Sequence, residues 1–384
     1  MLFRSIKWRI GFGDDPDEQE ILAFAGNPLG ACPLRDKADK PWLFFAACHE
    51  WKRYREAGPG FRSHLPISMD GSCNGYQHLS ALGRDPHGGS AVNLAPDDYP
   101  HDIYLEVAEI VGIKVQIDAQ YREGDDREAA LQLLGAEREP DRAKPQWKID
   151  RDVVKPATMT LPYGVTRGTI YAQLLDTKVI KSCKDPEKCA RYLARILEES
   201  IPEVAVEAGK IMKWLRTVAR TLAKAGMGMA WTSPAGFPVI HEIREPKEVR
   251  ISTADRRITI HKEDQKRKID WRKQVDVIVA NLVHSLDAAH IKLTVNRLHS
   301  YGLRHFAMVH DSFGVHASDV DLLNRVLREE FVGMYSEPVM SNFFMELLKS
   351  SPVALPSLPR AGDAISGKSS IRRIFSLRSA RLTV

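Results

Sequence analysis

The sequence has few cysteines, no long apolar run and little net charge, and each shortage excludes a class of protein. The five cysteines among 384 residues are widely spread and include no CxxC pair, which argues against a disulfide framework or a structural zinc site. No stretch approaches about 18 consecutive apolar residues, and the charged N-terminal residues do not resemble a signal peptide. We therefore expect a cytoplasmic protein in a reducing compartment, with no membrane partner.

The charge is almost balanced, since 55 Lys and Arg face 50 Asp and Glu for a net charge of +5. That excess permits a polyanionic partner without demonstrating one. A hydrophobic content of 43%, with 25 glycines and 22 prolines, excludes disordered, collagen-like and coiled-coil chains. The length suits two or three structural units, and no internal repeat is present.

Local patterns predict helices separated by a few short strands. Alternating apolar residues predict a strand that ends at Asp70, and FAMV at 306–309 predicts another that runs into HDSFG. The alternation in EVRIST and RRITIHK predicts a hairpin that turns at Ala254-Asp255. The charge-rich segment 121–144 is expected to be a solvated insertion.

Two aspartates stand at the polar ends of predicted strands. Asp70 and Asp311 are far apart in the chain, yet strands of one sheet could bring them together. Facing carboxylates repel each other unless cations lie between them, and two Mg²⁺ ions about 3.5–4 Å apart are the usual arrangement for phosphoryl displacement. Taken singly, each aspartate is weak evidence, since an aspartate after a strand is more often an ordinary cap or turn residue.

A second group of polar residues recurs every four positions, so that on a helix it follows one face: Arg151, Lys155, Met159 and Tyr163, with Gly164 after it. Arginine offers a bidentate fork, lysine a point charge and tyrosine a flat surface, which together suit a nucleoside triphosphate. The spacing alone favours the other interpretation, an ordinary exposed basic helix face.

Three segments in this order resemble the motifs of single-subunit, bacteriophage-type DNA-directed RNA polymerases, a family that includes the mitochondrial enzyme. They are DGSCNGYQHLSAL at 70–82, RDVVKPATMTLPYG at 151–164 and HDSFG at 310–314. The resemblance extends to GGSAVNL at 88–94, GFPV at 236–239 and NLVHSLDAAH at 281–290. It implies an α+β, predominantly helical fold of right-hand architecture, in which a palm with a small antiparallel sheet carries helical fingers.

The resemblance also implies a division of the chain. We expect a first part of the palm at 1–98, fingers at 99–284 with a specificity hairpin at 243–270, and a second part of the palm at 285–364. Residues 365–384 form a basic tail that is atypical of the family. The N-terminal promoter domain and the thumb are expected to be absent, which points to a truncated or split enzyme that could be completed by a separate chain.

The implied function is DNA-templated RNA synthesis from ribonucleoside triphosphates, in a bacterial or phage-infected cell. Asp70, Asp311 and the Gly71 carbonyl would hold two Mg²⁺ ions, and Lys155 would also donate a proton to pyrophosphate. The remaining residues that the resemblance assigns to the nucleotide are Arg151, Met159, Tyr163, Gly164 and His284. Contacts to DNA are expected from Arg250, Arg256 and Arg257, called here the three hairpin arginines.

Two alternatives remain open at this point. The chain could be an inactive remnant that at most binds nucleic acid through its basic patches. A polymerase-I-like DNA polymerase shares the R-x3-K-x7-YG and HD patterns, but that class has a glutamate where Ser312 stands and lacks the DGS-x-x-G form at 70–75.

Overall fold

Helices make up most of the described part of the chain. The computed structural model of the chain describes residues 18–27, 41–135, 149–252, 255–262, 264 and 266–359. Its helices are α1 (Glu18–Gly26), α2 (Pro41–Ala57), α3 (Asn74–Gly83), α4 (Pro86–Ala91), α5 (Ile103–Tyr121), α6 (Gly124–Leu134), α7 (Arg151–Thr160), α8 (Arg167–Leu175), α9 (Lys178–Lys181), α10 (Pro186–Val204), α11 (Val206–Lys224), α12 (Trp271–Ser300), α13 (Val320–Ser336) and α14 (Val339–Ser350).

The strands in the described residues are short and form three small sheets. They are β1 (Ile67–Met69), β2 (Met229–Thr232), β3 (Pro238–His241), β4 (Lys247–Ser252), β5 (Arg257–Lys262), β6 (Ala307–Val309) and β7 (Ser312–Val315). In the first sheet, the strand order is β1-β7-β6. The second sheet is the antiparallel pair β2 and β3, and the third is the antiparallel pair β4 and β5. Short 3-10 turns occupy Gly58–Gly60, Leu161–Tyr163 and Ala317–Asp319. The predominantly helical α+β class predicted from the sequence is confirmed.

The chain divides into two compact units. The first comprises Met1–Ser68, Arg304–Ala307 and Gly314–Asp321. Within its described part, α1 and α2 pack through a small apolar cluster that includes Ile21, Phe24 and Phe44. The predicted palm and fingers bounds follow a different division, and they stay predictions.

The second unit comprises Met69–Leu303, Met308–Phe313 and Leu322–Val384, and its described part holds the large apolar core. Its centre is built from the amphipathic helices α10 and α11, each of which buries an apolar face. Leu193, Leu197 and Ile201 are completely buried on α10, and Asp185 caps that helix by accepting a hydrogen bond from the Lys188 amide.

The segment expected to be a solvated insertion is in part a packed helix. Within it, α6 buries Ala129, Ala130 and Leu133 and packs against α5 and α10. Small apolar residues form a stripe on α6 that is too narrow to stand out among its charges, so the prediction was wrong for this helix. Residues 136–148, which contain most of the rest of the segment, lie outside the described part.

In the described ranges, no helix combines the length and the apolar character needed to cross a membrane. The described cysteines, Cys48, Cys73, Cys183 and Cys189, are free thiols. Cys32 and the basic tail at 365–384 lie outside the described residues, so the predictions made for them are not tested.

Candidate active site

The two aspartates predicted to meet are brought together by neighbouring strands. Asp70 directly follows β1, and Asp311 lies in the two-residue turn between β6 and β7. Because β7 lies between β1 and β6 in the sheet, both carboxyl groups reach one end of it and stand within hydrogen-bonding distance of each other. The turn itself is tight, since its first residue, His310, has a positive φ of 51°.

The charges around the pair oppose its ionisation. The pKa of Asp70 is raised, first by partial burial and then by the neighbouring charge of Asp311. Two contacts act in the other direction: Oδ1 of Asp70 accepts a hydrogen bond of 2.9 Å from the Gly71 amide, and Lys155 adds a positive charge nearby. The site therefore presents two adjacent carboxylates that a positive charge would stabilise.

Tyr163 and His284 form a stacked pair, with ring centroids 5.1 Å apart and planes 24° apart. Tyr163 ends the 3-10 turn after α7, whereas His284 lies on α12. Burial raises the pKa of Tyr163 to about 12, and Asp311 contributes to that rise. The pKa of His284 is lowered by desolvation and by His310, so the imidazole is neutral at neutral pH.

Two glycines allow this stack to form. A Cβ at Gly75 would lie 2.9 Å from Cβ of Pro162 and 3.3 Å from Cζ of Tyr163. The absence of a side chain at Gly75 therefore lets the start of α3 pack closely against the tyrosine ring. Gly164 has a φ of 84°, and a Cβ there would collide with the carbonyl oxygen of Asp276 on α12. The structure thus gives Gly164 a backbone role beside the tyrosine, and a contact with substrate stays a prediction.

The two predicted phosphate-binding cations lie on α7, as their spacing indicated. Oδ1 of Asp150 caps this helix by accepting hydrogen bonds from two backbone amides, and Pro156 is accommodated inside it. Both cations lie over the ring of Tyr104, with Arg151 at 4.9 Å and Lys155 at 5.8 Å from its centroid.

Met159 is 43% exposed near the end of the same helix. With Arg151 and Lys155 it completes the predicted face of α7.

Asp287 is a third carboxylate at the site that sequence reasoning missed. It follows His284 by three residues on α12, so it lies on nearly the same helix face, and it is only 5% exposed. Burial and the charge of Asp311 raise its pKa to about 6, while the side chain of Asn74 acts in the opposite direction. Asn74 also contacts Tyr163, which links the buried acid to the stacked pair. The sequence did contain a signal for Asp287, because it lies one helical turn after a histidine that was predicted to contact the nucleotide.

The described part of the chain contains no cluster of three or more His, Cys, Asp or Glu side chains placed to hold a metal ion. An ion at the Asp70 and Asp311 pair would therefore take its other ligands from backbone carbonyl, water or substrate oxygens. That ligand set suits Mg²⁺, which usually binds one or two carboxylates together with substrate phosphates.

The predicted hairpin is present as the β4–β5 ribbon, in which Arg250 pairs with Thr259 and Ser252 with Arg257. Directly opposed residues share a face, so Arg250 and Arg257 lie on the same polar side. The other side carries apolar residues, including the exposed Ile251 and Ile260. Arg256 lies in the turn and is exposed. The structure brings these arginines together on one ribbon, but it does not test their contact with DNA.

Comparison with known proteins identifies the family. A model of the family described as DNA-dependent RNA polymerase matches residues 4–365. The chain is 35% identical over 372 residues to the mitochondrial DNA-directed RNA polymerase of Mus musculus, covering 93% of this chain and 29% of that protein. It is 36% identical over 362 residues to mitochondrial DNA-directed RNA polymerase 1 of Arabidopsis thaliana, covering 92% of this chain and 36% of that one.

A third relative, the mitochondrial enzyme of Homo sapiens, is 35% identical over 353 residues. That alignment covers 90% of this chain and 27% of the human protein, so the chain spans about a third of the length of these relatives. Because the family match extends over nearly the whole chain, this protein belongs to the single-subunit, bacteriophage-type family of DNA-dependent RNA polymerases.

Proposed function

We propose that this chain carries the catalytic site for DNA-templated RNA synthesis and joins ribonucleotides by nucleotidyl transfer. The observation that carries the proposal is the meeting of Asp70 and Asp311 at one sheet end, beside the stacked Tyr163 and His284. The family match weighs against the polymerase-I-like alternative.

In this proposal, Asp70 and Asp311 hold two Mg²⁺ ions, and the Gly71 carbonyl supplies a further ligand. The raised pKa of Asp70 supports this assignment, because two unneutralised carboxylates at close range are stabilised by a divalent cation between them. When bound, such ions activate the attacking 3′-hydroxyl and neutralise the charge of the triphosphate and of the leaving pyrophosphate.

Arg151 and Lys155 bind the phosphates of the incoming nucleotide. Arginine keeps its charge and offers paired N–H donors, while the ammonium of Lys155 lies near Asp70 and can pass a proton to the leaving pyrophosphate. Met159 and Gly164 complete the nucleotide site on the same helix and turn.

Tyr163 selects the sugar. Its hydroxyl is held next to Asn74, and its ring packs close to Gly75 and stacks on His284, so both the ring and the hydroxyl have a defined orientation. A neutral His284 can accept or donate a single hydrogen bond to a ribose hydroxyl.

We assign residues 1–98 and 285–364 to the palm and residues 99–284 to the fingers. The three hairpin arginines bind DNA, chiefly through its phosphates, because both β4 and β5 are exposed on their polar face. A separate chain that supplies the N-terminal domain and thumb stays a prediction, as does a cytoplasmic location in a bacterial or phage-infected cell.

Primer extension tests this function most directly. An RNA primer annealed to a DNA template is incubated with Mg²⁺ and ribonucleoside triphosphates, which removes the need for promoter opening. We expect extension by the unmodified chain and none by Asp311→Ala. Asp319→Ala serves as a control, because it removes a carboxylate from the 3-10 turn Ala317–Asp319 rather than from the turn that carries Asp311. If a folded, unmodified chain adds no nucleotide, the proposed activity of this chain is wrong.

A further inference from the structure

The GGSAVNL segment has a structural role at the site that its sequence does not explain. Asn93 lies in the left-handed region, with a φ of 60°, a conformation that asparagine tolerates better than most residues. Its Nδ2 donates to Oγ of Ser72 at 2.9 Å and to the carbonyl of His101 at 2.8 Å. Its Oδ1 accepts from the His101 amide at 2.8 Å. Asn93 therefore connects the turn after Asp70 to the residues that precede α5.

Asp102 continues this connection to the predicted triphosphate site. Its Oδ1 caps α5 by accepting a hydrogen bond of 2.9 Å from the Tyr104 amide, and its Oδ2 pairs with Nε of Arg151 at 2.6 Å. One carboxylate thus serves both as a helix cap and as the partner of the cation.

Tyr104 closes the network. Its ring lies under the guanidinium of Arg151, and its hydroxyl donates to the carbonyl of Ser72 at 3.3 Å. Two chains of contacts therefore run from Ser72 to Arg151, one through Asn93 and Asp102 and one through Tyr104.

We infer that Asn93 and Asp102 are positioning residues that fix Arg151 relative to the metal-binding turn at Asp70. The inference rests on the proposed function of Arg151 in binding triphosphate. An arginine side chain has many rotamers, and the bond from Nε to Asp102 restricts them. The two Nη groups of Arg151 therefore face a phosphate in only a few orientations. Neither positioning residue needs to contact the nucleotide.

Asp102→Asn separates the two roles of the carboxylate. Asparagine caps helices as well as aspartate does, so α5 is retained, but the charge that holds Arg151 is lost. We expect the Kd for ATP with Mg²⁺, measured by calorimetry, and the KM for ATP in primer extension to rise about tenfold, with kcat and the thermal unfolding midpoint little changed.

Asn93→Asp provides a second, independent variant. It keeps the size and the left-handed tolerance of asparagine but replaces the Nδ2 donor by an oxygen that faces the His101 carbonyl. The Kd for ATP should rise in this variant too, as it does in Asp102→Asn. The matched control for Asp102→Asn is Asp185→Asn, the same chemical change at the cap of α10, which carries none of the proposed substrate residues; its Kd should stay unchanged.

A double-variant cycle distinguishes positioning from general stabilisation. In an Arg151→Gln background, Asp102→Asn should produce no further rise in the Kd for ATP, because the residue that it positions is gone. Additive effects, or a Kd that is unchanged or lower in Asp102→Asn alone, would overturn the inference. A chain that binds ATP as expected but extends no primer refutes the proposed function alone, whereas an unmodified chain that binds no ATP refutes both.

Discussion

Neutralising Asp287 should stabilise the protein at alkaline pH. This side chain is 5% exposed, its Oδ1 has no hydrogen-bond partner within the described part of the chain, and its pKa is raised to about 6 by burial and by Asp311. An aspartate in the unfolded chain titrates near 3.8. At about 1.4 kcal/mol per pH unit, the difference corresponds to a cost of about 3 kcal/mol for the ionised, folded form.

The sign of the pH dependence follows from proton binding. Between pH 3.8 and about 6 the folded state holds a proton on Asp287 that the unfolded state has released, so stability falls as the pH rises through this window. Asp287→Asn removes the cost. The variant should be more stable than the unmodified chain by up to about 3 kcal/mol at pH 8, and this gain should shrink towards zero near pH 4.

Urea unfolding in Mg²⁺-free buffer at pH 4.5, 6 and 8 measures the effect. Asp276→Asn is the control, since that aspartate is exposed on the same helix, and its free energy of unfolding should change by less than about 0.5 kcal/mol at each pH. A gain for Asp287→Asn that is equal at all three values, or a loss of stability at pH 8, would refute the electrostatic argument.

Three further predictions concern the nucleotide and the DNA. Tyr163→Phe removes the hydroxyl but keeps the stack on His284. The ratio of deoxyribonucleotide to ribonucleotide incorporation should therefore rise in a competition assay. An unchanged ratio would contradict sugar selection by this residue. Gly75→Ala places a methyl group 3.3 Å from Cζ of Tyr163 and should lower kcat/KM about tenfold. The control Gly333→Ala, whose added methyl group meets open space, should leave kcat/KM unchanged. Equal activities of the two variants would show that the ring position is unimportant. Replacing the three hairpin arginines by glutamine should weaken binding to all DNA sequences alike. The slope of log K against log salt concentration should become shallower by about 0.9 for each phosphate contact that is lost. A loss of affinity confined to one sequence would indicate base recognition instead.

Much of the site could be predicted from the sequence because its residues carry local signals. The strand before Asp70, the hairpin of β4 and β5, and the four-residue spacing on α7 each follow from periodicity that a single segment contains.

The error at α6 shows where local patterns are insufficient. Its alanines and single buried leucine have little apolar surface of their own, and their burial depends on α5 and α10 packing over them. Similarly, the burial of Asp287 and the double role of Asp102 arise from contacts with segments far away in the chain.

The sequence by itself determined the strand before Asp70, the β4–β5 hairpin and the shared face of α7, and its ordered motifs indicated the family, because backbone periodicity and motif spacing are properties of short segments. The tertiary structure decided which charges meet: it placed Asp311 beside Asp70, Asp102 on Arg151, and the buried Asp287 close enough to Asp311 to feel its charge. Electrostatic interactions depend on distance and solvent access, and both quantities exist only once the chain has folded.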